Sequence, residues 1–118
     1  MRHVFAGIPV RDYQAARSWY ERLFGRPPDM VPADDEAVWH LRDGASVYVV
    51  ADKRRAGNAL LTLAVDGLDR LLRALADGRI GAETIAGAGG PRRAVVADPD
   101  GNRITFFQDP AAPAEEVG

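Results

Sequence analysis

The most constraining feature of this chain is that it reads twice through one pattern of apolar residues. Placing Ile8 over Leu63 also places Val10 over Val65, Ala16 over Leu71 and Tyr20 over Leu75. The match lies in hydrophobic role more than in identity, yet it keeps register across a strand-like and a helix-like segment. Self-similarity of this kind marks two copies of one supersecondary unit. Neither copy has enough sheet to bury its helix alone, so the two must share a sheet or pair with a second chain.

Each copy reads as βαβββ. Val4, Ala6, Ile8 and Val10 alternate along a first strand, with Pro9 on the other parity, which suits an edge or rim position. Asp12 is placed to cap a helix whose stripe is Ala16, Trp19, Tyr20 and Leu23, and Gly25 with Pro27-Pro28 ends it. Short strands follow near 29–31, 37–41 and 46–51, the last two joined by an Asp43-Gly44 turn. A basic connector, residues 53–58, leads to the second copy. Leu61, Leu63 and Val65 alternate along a strand, and Leu68, Leu71, Leu72 and Leu75 stripe a helix that Gly78 ends. Strands near 82–85, 93–97 and 103–108 complete it. The expected domain is residues 1–109, in units of about 1–52 and 59–109. The tail, 110–118, is rich in Pro, Ala and Glu and reads as disordered.

Composition excludes more than it assigns. The chain has 118 residues, a net charge of −2 and no cysteine. That charge is too small to steer polyanions, so nucleic acid is not an expected partner. Disulfides, thiolate metal sites and cysteine nucleophiles are all excluded. No apolar run approaches the roughly 20 residues that span a bilayer. The start of the chain enters a strand-like pattern with no signal-peptide region, and a cytoplasmic protein is the default expectation.

The second copy closes on Asp98-Pro99-Asp100-Gly101-Asn102, in which Pro presets φ, Asp accepts local hydrogen bonds and Gly-Asn tolerates positive φ. With Ile8-x-Val10-x-Asp12, Ala16, Trp19-Tyr20 and Phe24-Gly25 in the first copy, and Leu63-x-Val65 in the second, the chain resembles the vicinal oxygen chelate superfamily. That superfamily includes glyoxalase I, bleomycin-resistance proteins and extradiol dioxygenases. The resemblance implies an α+β fold in which two tandem βαβββ units form a curled, barrel-like mixed sheet with helices outside. It also implies a homodimer that completes a cavity.

The resemblance further implies four metal-ligand positions. They fall on Phe5, Leu60, Thr105 and, in the last strand of the first unit, Tyr48. Divalent cations want imidazole or carboxylate oxygen, and these side chains offer neither. They would instead line a mostly apolar pocket. No cofactor is therefore expected, and enzymatic activity is doubtful.

Candidate ligand contacts are Phe5, Trp39, His40, Tyr48, Leu60, Thr105 and Phe107, with the aromatic rings stacking on a flat ligand. Filling the core is an equal alternative for each ring, whereas Trp19 and Tyr20 belong to the helix stripe and the core. His3 shares a face with Phe5, but an exposed place at a strand start is the plainer reading. His40 is a general base or an ordinary strand histidine. His3, His40 and Glu36 form an unconventional metal site only against the absence of any spacing rule. Asp98, Asp100 and Asn102 are explained by the turn. Arg92 and Arg93 read as a solvated pair. The glycine-rich run 87–90 lacks the lysine and following helix of a phosphate loop and reads as a mobile loop.

The functional expectation is a metal-independent binder of a small molecule, aromatic or antibiotic-like. The alternatives are a superfamily enzyme with displaced ligands or metal-free acid/base chemistry, and a regulatory module whose pocket is closed.

Overall fold

The computed structural model describes residues 1–86 and 92–111. The run 87–90 and the tail residues 112–118, read above as mobile and disordered, lie outside the described residues. The first unit is β1 (Val4–Val10), α1 (Tyr13–Phe24), β2 (Met30–Ala33), β3 (Glu36–Arg42) and β4 (Ala45–Ala51). The second is β5 (Leu60–Val65), α2 (Leu68–Asp77), β6 (Glu83–Ile85), β7 (Arg93–Ala97) and β8 (Arg103–Gln108). Both expected βαβββ units are present.

Each unit builds its own four-stranded mixed sheet, in the orders β1-β4-β3-β2 and β5-β8-β7-β6. The first strand of each lies parallel to the last, and the remaining pairs are antiparallel. Pro9 therefore sits on an edge strand, where its missing N–H costs no ladder bond. The units cover their helices by sharing a core rather than a hydrogen-bonded sheet. One apolar cluster takes in Ile8, Val10, Val47 and Val49 of the first sheet and Ala94, Val96, Ile104 and Phe106 of the second, with the stripes of both helices.

Helix α1 follows from its local sequence. Tyr13, Ala16, Trp19, Tyr20 and Leu23 recur at three- and four-residue steps and are all buried. The Asp12 carboxylate accepts from the Ala15 N–H at 3.1 Å, and Gly25 at φ 73° closes the other end in the left-handed region. Gly78 ends α2 differently: its φ is −80°, and the left-handed turn falls on Arg79, at φ 59°.

The turn at residues 98–102 binds the two units together. Asp98 Oδ1 accepts from the N–H groups of Asp100 and Asn102, each at 2.9 Å. Asp98 Oδ2 accepts from the Tyr20 hydroxyl at 2.7 Å and from Asn102 Nδ2 at 2.8 Å. Asn102 Nδ2 also donates to the Pro9 carbonyl at 2.8 Å, and its Oδ1 accepts from the Ala59 N–H at 2.9 Å. Arg11 donates from backbone and side chain to Asp100. One buried carboxylate and one buried amide thus hold α1, β1 and the connector against the second sheet. Burial, reinforced by the Asp98 charge, pushes the Tyr20 phenol well above its ordinary pKa of 10.0.

Candidate functional site

Because strand side chains alternate, every residue that packs the core leaves its neighbours on the opposite, open face of the sheet. On the first sheet the register puts Phe5, Gly7 and Pro9 beside Ser46, Tyr48 and Val50, with His40, Val38 and Glu36 next in line. Gly7 has a specific purpose there. A Cβ built on it would lie 2.6 Å from both Cζ and the hydroxyl oxygen of Tyr48. The Tyr48 ring can cross β1 only because residue 7 has no side chain.

Beside that ring is a cavity of about 520 Å³, walled by Gly7, Pro9, Tyr48 and Val50 on the strand side. Asp52, Arg54, Arg55, Asn58 and Ala59, from the connector and the residues flanking it, form the other wall. The volume falls within the roughly 300–1,000 Å³ of small-molecule sites. The connector folds as turns, and Gly57 at φ 90° packs against the Asp100 carbonyl where a Cβ would approach within 2.6 Å. The 98–102 turn thus helps to fix the far wall.

Further along the same face, Ser46 is buried between two imidazoles. Its Oγ lies 2.7 Å from His3 Nε2 and 2.5 Å from His40 Nδ1. A hydroxyl has one proton, so with neutral rings it donates to one histidine and accepts from the other. His3 also stacks on Phe5, with centroids 4.3 Å apart. His3 is thus tied into the face rather than free at a strand start. Glu36 lies on this face but does not join the histidines. Among the described residues, no three His, Cys, Asp or Glu side chains are grouped closely enough to hold a metal ion.

The structure separates the other residues singled out in the sequence. Leu60, Thr105 and Phe107 lie on the open face of the second sheet, where Leu60 is 83% exposed. The cavity beside Tyr48 takes in neither Leu60 nor Thr105. Phe5, 54% exposed, borders the histidines. Trp39 corrects an expectation: it faces the core, fully buried against Tyr20 and Phe24, and its Nε1 donates to the Arg26 carbonyl at 3.0 Å. Its register partner is Val47, so strand parity sends it away from Tyr48 and His40. Arg92 is ion-paired with Asp69 rather than simply solvated.

Sequence reasoning passed over Gly7, Ser46 and the arginines of the connector. A glycine inside an otherwise regular strand was the available signal for the first. Ser46 carried none, because its partners, His3 and His40, come from segments far apart in the chain.

The four implied metal positions fall into two equivalent pairs. Tyr48 pairs with Gly7, and Thr105 pairs with Thr62, so the two occupy equivalent places in their units. Phe5 and Leu60 likewise hold equivalent places in β1 and β5. A phenyl, an isobutyl, a phenol and a secondary hydroxyl are not a divalent-metal donor set, and the residues present do not fit the metal that the superfamily implies.

Two tandem βαβββ units, each with its own mixed sheet, and a candidate site on the open face of the first define a paired-repeat α+β protein of the glyoxalase-like class. The chain belongs to the glyoxalase-like domain family, which matches residues 4–107. It is similar to a glyoxalase/bleomycin resistance protein from Catenulispora acidiphila, at 37% identity over 93% of this chain and 100% of that one, with a TM-score of 0.89. The fold is shared with TnmS3, an antibiotic binding protein from Streptomyces sp. CB03234, at 22% identity over 92% of this chain and 96% of that one, TM-score 0.73. It is shared too with a bleomycin resistance determinant encoded on the transposon Tn5, at 21% identity over 93% and 99% of the two chains, TM-score 0.71. No curated protein matches the chain.

Proposed function

We propose that this protein binds a flat, partly aromatic small molecule without a metal ion, in a site whose floor is the Tyr48 ring. The observation that carries this reading is the pairing of an open cavity with a donor set unfit for a divalent cation. Sequestration needs no reacting group: burying a planar ligand on an aromatic floor is sufficient. Two proteins that share the fold, TnmS3 and the Tn5 determinant, are named for antibiotic binding or resistance, which favours the same class of role here.

The working form is a homodimer. Phe5 on one open sheet face and Leu60 on the other are large apolar side chains left in water, and a second copy laid across these faces would cover them. The cavity beside Tyr48 would then be the inner end of a larger cleft.

The test is a titration of metal-stripped protein with a panel of planar aromatic compounds and glycopeptide antibiotics, read by calorimetry. Elemental analysis and sedimentation accompany it. Saturable binding with chelator present, lost in Tyr48→Ala, is expected. One tightly held Zn, Ni, Mn or Fe per chain, or no binding across the panel, would overturn the reading.

A further inference from the structure

Resting on the binding reading above, we infer that the ligand is an organic anion, a planar ring bearing a carboxylate, and that Arg54 selects its charge. The charged groups around the cavity are Asp52, Arg54 and Arg55. Asp52 is already engaged. Its Oδ1 accepts from the Arg55 N–H at 3.2 Å, and its Oδ2 lies 3.6 Å from Arg55 Nη1. Asp52 and Arg55 therefore neutralise each other. Arg54 has no hydrogen-bond or ion-pair partner among the described residues, so the cavity carries one uncompensated positive charge.

The remaining walls leave that charge a defined complement. Pro9, Val50 and the Tyr48 ring are apolar, and Asn58 Nδ2 is turned to the Arg55 carbonyl, at 3.4 Å. A cationic ligand would meet Arg54 with no free carboxylate to offset it. A neutral aromatic would use the ring floor and leave the guanidinium idle. A carboxylate attached to a ring uses both: the planar guanidinium fork donates two parallel N–H···O bonds to it while the ring lies on Tyr48. The basic connector thereby gains a role beyond joining two units. Its backbone is fixed by Gly57 against Asp100, while the Arg54 side chain stays available.

The experiment compares three probes with one ring system: 2-naphthoate, 2-naphthamide and 2-naphthylmethylammonium. Each is titrated into wild type, Arg54→Ala, Arg54→Lys and Tyr48→Ala, and circular dichroism checks that each variant is folded. Naphthoate should bind at least tenfold more tightly than the amide, and the ammonium compound most weakly. Arg54→Ala should reduce naphthoate to the level of the amide and leave the amide unchanged, with Arg54→Lys between. Raising NaCl should weaken naphthoate alone. Equal binding of naphthoate and naphthamide, or a preference that survives Arg54→Ala, would overturn the charge assignment while leaving the aromatic site standing. If no probe binds, or binding ignores Tyr48→Ala, the underlying reading fails along with it.

Discussion

Two polar regions of this molecule make a useful contrast. Around Asp98 and Asn102, each carboxylate oxygen and each amide atom has a partner, and both residues are buried. Around Tyr48 and Arg54, neither side chain has a polar partner among the described residues, and both line open space. Saturated polar clusters specify geometry, because any other arrangement strands a buried donor or acceptor. Unsaturated groups at a cavity are the ones left for a ligand. On this comparison the acidic, active-site-like cluster is architecture, and the plainer face with one phenol and a spare arginine is the candidate site.

Breaking the saturated cluster should have the largest effect. Asp98→Ala removes the acceptor for the Tyr20 hydroxyl, the Asn102 amide and two backbone N–H groups. A loss of about 3 kcal/mol or more is expected in urea unfolding, since several buried donors lose their partner at once. An unchanged unfolding midpoint would show that the two units do not depend on this bolt.

Tyr20→Phe comes next, at about 1–2 kcal/mol near neutral pH, because it deletes one hydrogen bond to a buried charge. Its pH signature is more telling. The Tyr20 phenol is raised above 10.0 in the folded protein, first by burial and then by the Asp98 charge. Below pH 10 both folded and unfolded states keep this proton, so its stabilisation is fully present. Above pH 10 the unfolded chain releases the proton and the folded one does not, so stability falls as pH rises, by up to about 1.4 kcal/mol per pH unit. Unfolding curves from pH 8 to 11 should show a decline in wild type that is shallower in Tyr20→Phe.

Gly7→Ala attacks the open region instead. Its Cβ would need the position that the Tyr48 ring occupies, and the ring must swing off β1. Because Tyr48 is only half-buried and Gly7 is itself exposed, the expected cost is about 1 kcal/mol or less. Aromatic-ligand binding, in contrast, should fall at least tenfold in calorimetry. A variant that binds like wild type would remove Tyr48 from the floor of the site.

How legible these two regions were in the sequence differs for a physical reason. The bolt announces itself as a turn, because Pro, Gly and Asn occupy places that turn geometry requires, and the repeat fixes which strands flank it. That Asp98 also reaches Tyr20 on a helix of the other unit is a long-range fact with no local signature. On the open face, the resemblance placed Tyr48 and Thr105 in the last strands of their units, where they lie. It did not settle the facing of β3. Trp39 and His40 are adjacent, so one of them had to face the core, and no feature beyond parity said which. The bulkier, more apolar ring took the buried place. Arg54 was visible only as part of a basic run, since what distinguishes it from Arg55 is which neighbour Asp52 chose.

The histidine pair with Ser46 lies between the extremes, and it offers the smallest but sharpest test. The hydroxyl is buried, as in the saturated cluster, whereas both imidazoles are half-exposed, as around the cavity. If partner saturation is what counts, Ser46→Ala leaves two ring nitrogens without their protein partner. If access to water is what counts, solvent replaces the hydroxyl at those nitrogens. Because the rings are half-exposed, water should succeed at both nitrogens, and the expected loss is about 0.5–1 kcal/mol, less than two ordinary hydrogen bonds would give. Urea unfolding of this variant beside Asp98→Ala measures the two cases on one scale. A loss as large for Ser46→Ala as for Asp98→Ala would mean that the open face is as rigidly specified as the bolt, and that its polar groups are structural as well.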